Sequence, residues 1–319
     1  MITAEGFNQL RETIRYLDQV PFDITRKTLY TAEELYEGFN PDNEETYDTC
    51  FDSAVYQQYK ALGQHVPSVR ELLARSLHDH SIHTALARFF QEHDHRRSVG
   101  IMGGHALLRT DAMFSEIAHL SKQLTQQGFV MLSGGGPGAM EATHLGAWMA
   151  GRTENELDDA LQILSEASSF KDTGWLRTAF EVIRKYPQER FVSLGLPTWL
   201  YGHEPSTPFA THIAKFFENS LREDSILTLA FGGIVYAPGS AGTLQEIFQE
   251  AVQDHYLSYG YASPMIFLGR RFWTEEIPVY PLLEHLMDTG RYKNLLLSIT
   301  DNTADILNTL QDFREKQKK

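Results

Sequence analysis

Two different hydrophobic patterns divide the chain near residue 95. Residues 1–95 carry apolar positions at helical spacing, and an acidic, turn-rich break at 40–45 interrupts them. From about residue 98, short apolar or β-branched runs alternate with helical patterns. Six of these runs are candidate strands, at 99–102, 129–132, 191–194, 234–237, 265–268 and 295–299. This alternation predicts an α/β fold in which helices cover both faces of a parallel sheet.

The same patterns predict a helical N-terminal extension at 1–95 and an α/β domain at 96–319. One connection inside the domain, at 151–190, is unusually long and predicts two extra helices at about 154–167 and 175–185. Such an insertion either shapes a pocket beside the strand ends or packs on the surface as a decoration.

Two glycine-rich turns are the strongest chemical signal in the sequence. The first, at 133–140, reads S-G-G-G-P-G-A-M, and the second, at 238–246, reads P-G-S-A-G-T-L-Q-E. Each turn follows a candidate strand and opens a helical pattern. Glycine lets a backbone approach a ligand closely, and the unpaired N–H groups of a helix start attract anions. The two turns therefore predict a pocket that binds a phosphate.

Two charged side chains near the second turn are candidates for chemistry. Glu246 lies one turn into the helix that follows, where it could face a cationic or hydroxylated group such as ribose, or simply complement the helix dipole. Arg222 lies on the preceding helix within an apolar stretch. It either extends to the surface or is held for an anion contact.

Composition excludes several classes of function. The 319 residues carry a formal charge of −14, which argues against a general nucleic-acid surface. The first residues lack the basic and apolar segments of a signal peptide, and no apolar run reaches membrane-spanning length. Cys50 is the single cysteine, so a disulfide framework is impossible. We expect a cytoplasmic protein that binds neither nucleic acid nor a membrane.

The other motifs in the sequence give little support for the chemistry usually associated with them. Gly134, Gly136 and Ala139 fit the dinucleotide pattern G-x-G-x-x-A, but no acidic residue is well placed after the next strand. Histidines cluster at 78–83 and 93–95, where helical geometry points them apart, so we expect solvated helix faces rather than a metal site. No lysine lies at a motif position that would suit a pyridoxal-phosphate decarboxylase, and no G-x-S-x-G elbow occurs. We expect neither a metal nor a cofactor.

Together the two turns resemble the motifs of the LONELY GUY (LOG) family, G-G-G-x-x-G-x-M and P-G-G-x-G-T-x-x-E. The resemblance covers about residues 98–310. It implies a Rossmann-like doubly wound sheet and hydrolysis of the N-glycosidic bond of nucleoside 5′-monophosphates to free base and ribose 5-phosphate. The long N-terminal extension is more similar to the branch that cleaves common nucleotides than to the compact enzymes that act on cytokinin ribotides.

The resemblance also implies roles for individual residues. Arg222 and Glu246 correspond to the catalytic pair of the family. The residues expected to contact the phosphate or the rest of the nucleotide are Ser133, Gly134, Gly135, Gly136, Gly138, Met140, Gly239, Ser240, Gly242 and Thr243, together with Gly103 after the first strand. The family further implies a homodimer or higher homo-oligomer and no cofactor.

Two positions depart from the family pattern. Ser240 stands where the family has the middle glycine of P-G-G, and Glu223 stands where a lysine usually follows the arginine. These departures keep open an alternative function, a nucleotide-binding or sensor protein of the same fold without turnover. Glu246 beside Thr243 favours the enzyme, because a binding protein has no evident need for a carboxylate near phosphate.

Overall fold

A seven-stranded parallel sheet forms the centre of the computed structural model, which describes residues 4–317. In chain order the strands are β1 (Ser98–Met102), β2 (Val130–Ser133), β3 (Ser193–Gly195), β4 (His212–Ile213), β5 (Gly233–Tyr236), β6 (Pro264–Leu268) and β7 (Leu296–Thr300). Their order across the sheet is β4-β3-β2-β1-β5-β6-β7. The chain winds outward from β1 to β4 and returns to start again at β5 beside β1. The fold is therefore doubly wound and Rossmann-like, with its switch point between β1 and β5.

Helices cover both faces of this sheet. The α-helices of the described chain are α1 (Ala4–Leu17), α2 (Ala32–Leu35), α3 (Phe51–Ala61), α4 (Val69–Glu92), α5 (Ala112–Gln126), α6 (Ala139–Trp148), α7 (Glu154–Ser165), α8 (Trp175–Lys185), α9 (Asn219–Leu229), α10 (Ala241–Tyr256), α11 (Val279–Asp288) and α12 (Thr303–Lys316). Short 3-10 helices lie at Glu44–Thr49, His95–Arg97, Met149–Gly151 and Trp199–Tyr201, and a π-helix lies at Phe272–Glu276.

Alternation along the strands produces one core on each face of the sheet. Ile101 and Val235 pack into one buried cluster, whereas Met102 and Tyr236, their neighbours in sequence, pack into the other. All of β1, β5 and β6 is buried. This two-sided burial explains why the strands read as continuous apolar runs in the sequence.

The N-terminal extension packs on the β4 edge of the sheet. The backbone N–H of Tyr30 donates to the carbonyl of Ile213 at 2.9 Å, and the N–H of Ile213 donates back to Tyr30 at 2.8 Å. Lys215, directly after β4, is buried and forms an ion pair with Asp52 on α3. The extension therefore shares a core with the sheet. The domain boundary near residue 95 stays a prediction.

The strand predictions are confirmed to within two residues for six of the seven strands. Strand β4 was not predicted, because His212–Ile213 is only two residues long and forms no periodic pattern. Both helices of the predicted insertion are present as α7 and α8. Across residues 4–317, no helix is long and apolar enough to cross a membrane.

The prediction of solvated histidine faces at 78–83 was wrong for His78. This side chain is fully buried, with its Nε2 2.9 Å from the hydroxyl of Tyr30 and its Nδ1 3.0 Å from Asp79. Burial lowers the pKa of His78, although the nearby Asp79 carboxylate opposes that shift. His80, two residues on, is exposed as expected. His78 therefore packs the extension rather than facing solvent.

Candidate functional site

Hydrogen bonds join the loops after β1, β2 and β5 at one edge of the sheet. The N–H of Gly104 donates to the carbonyl of Pro238 in the second turn at 3.1 Å. The carbonyl of Gly104 accepts the N–H of Ala139, at the end of the first turn, at 3.2 Å. Gly103 lies between the two turns, and a side chain at this position would collide with Ala139. The structure thus brings both predicted turns and Gly103 together beside the switch point, where α/β sheets commonly bind ligands.

The first turn needs glycine for two different reasons. Gly135 and Gly138 both have φ of +70°, a left-handed conformation that favours glycine. A Cβ at Gly138 would also lie 2.4 Å from the carbonyl oxygen of Gly104. At Gly134 and Gly136 the obstacle is Met140, whose side chain lies over both residues. Met140 therefore covers the turn, and the turn is closely packed beneath it.

Ser133 supports the first turn from inside the protein. Its side chain is fully buried, and its Oγ accepts the N–H of Gly135 at 3.1 Å and lies 2.9 Å from Nε2 of His144. His144 on α6 also contacts Ser193 of β3. Burial lowers the pKa of His144 to about 3, so the imidazole is neutral. These contacts give Ser133 a structural role in shaping the turn. The sequence contained no signal for the role of His144.

The second turn is more open than the first. Ser240, Ala241 and Gly242 are exposed, and a Cβ at Gly242 would meet nothing within 4 Å. Ser240 makes no side-chain cap at the start of α10, so the first amides of that helix are open to an anion. Its φ of −121° is an ordinary value for a residue with a Cβ. The position therefore lacks the positive φ that would require the glycine of the LOG motif.

Close packing inside the second turn involves Gly239 and Thr243. A Cβ at Gly239 would lie 2.1 Å from Oγ1 of Thr243, which is buried. Close packing therefore requires glycine at 239, whereas Gly242 has open space around it.

Arg222 and Glu246 meet above the two turns. Nη1 of Arg222 lies 3.9 Å from Oε1 of Glu246, and the two side chains are 12% and 14% exposed. The same Nη1 is 3.6 Å from the position that a Cβ would take at Gly134 in the first turn. Nη2 donates to Asn219 at 3.0 Å, whereas the buried Nε has no partner among the described residues. Nη1 donates no hydrogen bond within residues 4–317, so this nitrogen of the guanidinium keeps hydrogen-bonding capacity for a ligand.

The surroundings of the Glu246 carboxyl group favour its protonated form. Burial raises the pKa of Glu246 to about 7, the positive charge of Arg222 opposes that shift, and the negative charge of Glu223 adds to it. No donor within residues 4–317 forms a hydrogen bond to this carboxylate. A carboxyl group with no hydrogen-bond donor and a pKa of about 7 suits proton transfer.

Glu223 ties the two helices of the site together. Its carboxylate accepts hydrogen bonds from Asn219 on α9 and from Gln245 on α10, both at 2.7 Å. One oxygen also lies 4.0 Å from Nη2 of Arg222. The glutamate that replaces the family lysine therefore stabilises the α9–α10 contact and adds negative charge near the arginine.

The extension fixes the start of the helix that carries Arg222. The buried Asp79 of α4 accepts the backbone N–H groups of Phe217 at 3.0 Å and Glu218 at 2.9 Å, directly before α9. A carboxylate at this end of a helix also interacts favourably with the helix dipole. Asp79, which precedes Phe217 by 138 residues in the sequence, therefore positions the start of α9 and with it Arg222.

A buried ion pair helps to hold the insertion beside α6, the helix that follows the first glycine-rich turn. Glu141, in the first turn of α6, pairs with Arg109, and neither side chain is more than 1% exposed. Arg109 also donates to the carbonyls of Ala167 and Trp175 and to the hydroxyl of Thr178. The insertion packs closely here and leaves a void of only about 10 Å³ beside Gly138. The insertion therefore supports the first glycine-rich turn.

The described residues contain no group of three or more histidine, cysteine or acidic side chains arranged to hold a metal ion. The site is instead built from backbone amides, one arginine and one glutamate.

Comparisons with known proteins leave the family open. No protein-family model and no curated protein matches the chain. Among solved structures it is similar to the molybdenum cofactor binding protein from the phototrophic bacterium Rippkaea orientalis, with 13% identity and a TM-score of 0.37, over 66% of this chain and 92% of that chain. A likeness at that level carries no argument about function. The Rossmann-like fold follows from the strand order itself, and the LOG resemblance rests on the two motifs.

The two kinds of glycine should respond differently to alanine. We expect Gly138→Ala to lower the free energy of unfolding by about 2–4 kcal/mol, because φ is positive and the Cβ collides with Gly104. Gly242→Ala, with open space around it, should change that free energy by less than about 0.5 kcal/mol. Urea unfolding of both variants tests this contrast. Equal losses would show that the packing of the first turn is misjudged.

Proposed function

We propose that this protein hydrolyses the N-glycosidic bond of nucleoside 5′-monophosphates and releases free base and ribose 5-phosphate. One observation carries the proposal: Arg222 and Glu246 converge, 3.9 Å apart, over two glycine-rich turns, and the second turn has open helix-start amides that suit a phosphate. Within residues 4–317, neither Nη1 of Arg222 nor the Glu246 carboxylate has a hydrogen-bond partner. The motif resemblance to the LOG family supports the same assignment.

The proposed reaction uses these groups as follows. The bond from C1′ to the base nitrogen breaks, its electron pair leaves with the base, and positive charge builds on the ribose ring. Glu246 stabilises that charge and accepts a proton from the water whose oxygen bonds to C1′. The base takes up a proton as it leaves. The open amides of the second turn hold the phosphate, which orients the sugar above the carboxylate.

Arg222 has two possible contacts in this scheme. Its Nη1, which makes no hydrogen bond within residues 4–317, can donate to the phosphate or to the departing base, and either bond is strengthened by the positive charge. Glu223 and Asn219 hold the guanidinium in place, so less freedom is lost when the ligand binds.

The pKa of Glu246 gives an expected pH dependence. Because Glu246 must be ionised to accept a proton, and burial raises its pKa to about 7, kcat should increase from pH 5.5 to a plateau above about pH 8. Glu250, also buried on α10, has a pKa of about 7 as well, so Glu250→Gln is the matched control. The inflection should persist in that variant. A rate that is flat between pH 5.5 and 8.5 would contradict the role of Glu246 as a base.

A sensor that binds nucleotides without turnover is the second candidate. The position of Glu223 favours it, because a negative charge 4.0 Å from Arg222 weakens the attraction of the site for phosphate. Ser240 does not favour this candidate, since its φ of −121° is not one that requires glycine.

A panel of nucleoside monophosphates separates the two candidates. The purified full chain is incubated with AMP, GMP, IMP, CMP, UMP and isopentenyl-AMP, and the products are followed by chromatography. Release of free base from at least one nucleotide supports the hydrolase and identifies its preference. Binding without base release from any of them would overturn the hydrolase and support the sensor.

The assembly and location that we propose follow from the resemblance and the composition. A homodimer or higher homo-oligomer is compatible with apolar side chains exposed on and just after α10, among them Val252, Tyr256 and Tyr259. The charge of −14 disfavours nucleic acid and anionic membranes as partners. We propose that the protein works in the cytoplasm, without a metal or a cofactor.

A further inference from the structure

A third acidic side chain lies over the first glycine turn. Glu204 belongs to the connection between β3 and β4, just after the short helix Trp199–Tyr201, and its N–H donates to the carbonyl of Tyr201 at 2.8 Å. Its Oε2 lies 3.9 Å from the position that a Cβ would take at Gly136. The side chain is 18% exposed. Glu204 is therefore mostly removed from bulk water and lies against the turn.

The Glu204 carboxylate lacks hydrogen-bond donors of its own. No residue of the described chain donates a hydrogen bond to it. The nearest side chains with ring nitrogens are the exposed histidines His105 and His203, and each Nε2 is 3.8 Å from Oε1, too far for a hydrogen bond. The carboxylate therefore depends for its hydrogen bonds on the solvent that reaches the exposed 18% of the side chain. A ligand carrying N–H groups would satisfy it.

The position of Glu204 also orients a ligand across the site. Arg222 lies over Gly134 and Glu204 lies over Gly136, two residues that the backbone can separate by at most about 7 Å. The carboxylate would repel a phosphate at its own end of the cleft. The phosphate therefore belongs at the open second turn, and the far end of the nucleotide, its base, belongs at Glu204.

We propose that Glu204 recognises the base of the nucleotide and selects guanine. This inference rests on the proposed function for the nature of the ligand. The two carboxylate oxygens are best satisfied by two adjacent donors, and guanine offers such a pair in N1–H and its 2-amino group. Adenine and cytosine place an acceptor beside their amino group, which faces a carboxylate oxygen unfavourably. Hypoxanthine keeps N1–H but lacks the 2-amino group.

GMP and IMP form a matched pair of probes because they differ only in that amino group. Their dissociation constants are measured by calorimetry on Glu246→Gln protein, in which the proposed turnover is blocked. GMP should bind about 10- to 100-fold more tightly than IMP, the effect of one hydrogen bond to a charged group. Adding Glu204→Gln should reduce that ratio to below about threefold. Glu189→Gln, an exposed glutamate away from the turns, should leave the ratio unchanged.

Several results would overturn the inference. One is equal affinity for GMP and IMP before Glu204 is changed, and another is a ratio that survives Glu204→Gln. If Glu204→Gln weakens both nucleotides equally, the carboxylate binds ribose and not the base. Should that variant fail to fold, Glu204→Asp retains the charge on a shorter side chain, and an unchanged ratio there would also count against base recognition.

The experiments distinguish a failure of the Glu204 inference from a failure of the proposed function. If wild-type protein releases base but does not distinguish GMP from IMP, the hydrolase stands and the role of Glu204 falls. If it releases no base but distinguishes the two nucleotides through Glu204, the recognition stands and the hydrolase falls.

Discussion

Glu246→Gln is expected to lower kcat for the preferred nucleoside monophosphate by about 10²–10⁴-fold, with a much smaller change in KM. Glutamine keeps the size of the side chain but can neither take a proton from water nor carry the negative charge that stabilises the ribose cation. The phosphate contacts at the second turn lie apart from this carboxylate, so binding should survive. Initial rates over a range of nucleotide concentrations separate the two parameters.

Glu250→Gln is the control for burial alone. Glu250 lies one turn further along α10, is also buried, and its carboxylate accepts a hydrogen bond from Ser263. Its substitution should alter kcat by less than about threefold. If the two variants lost activity equally, or if Glu246→Gln raised KM and left kcat intact, Glu246 would be a structural or binding residue and the proposed chemistry would be wrong.

Arg109→Ala is expected to lower the free energy of unfolding by about 3–5 kcal/mol. The guanidinium is almost completely buried, and its removal leaves the Glu141 carboxylate uncompensated inside the protein. It also removes the donors that hold the carbonyls of Ala167 and Trp175 in the insertion. Urea unfolding monitored by circular dichroism measures the loss.

Arg177→Ala is the matched control for this prediction. Arg177 lies on α8 of the same insertion and pairs with Glu166 and Glu181, but its side chain is 39% exposed. Pairs of this kind contribute little, so the loss should stay below about 1 kcal/mol. A similar loss in both variants would mean that the Arg109 pair does not anchor the insertion. Replacing Arg109 and Glu141 together by apolar residues should recover part of the stability.

The parts of the fold that local sequence determines could be predicted. Strands such as β1 and β6 are buried on both faces, and that burial produces the apolar runs from which they were predicted. The two turns were also predictable, because a cluster of glycines directly after an apolar run leaves a local signature. Strand β4 could not be found, since two residues form no periodic pattern.

The parts of the site that depend on distant contacts could not be predicted. Asp79 reaches the start of α9 only after the extension has packed on the β4 edge. The contacts of the buried Ser133 with His144 and Gly135, which hold the turn from within, had no signal in the sequence, and its contact with phosphate stays a prediction. Glu204 had no motif around it. Its relation to Gly136 exists only in the folded chain.

The convergence of Arg222 and Glu246 was expected from the family resemblance, and the structure places their charged atoms 3.9 Å apart. The motifs did not indicate how Arg222 is held there. Asn219 accepts a hydrogen bond from the guanidinium, and Glu223 links α9 to α10. Because neither contact belongs to the motif, only the folded structure could reveal them.

The most direct test of the central claim is to quantify both products from the preferred nucleotide. Wild-type protein and Glu246→Gln are incubated in parallel, and free base and ribose 5-phosphate are measured over time. We expect equal molar amounts of the two products from the wild type and release at least about 100-fold slower from the variant. Nucleoside and inorganic phosphate as products, or the same release from both proteins, would contradict the assignment of glycosidic hydrolysis to Glu246.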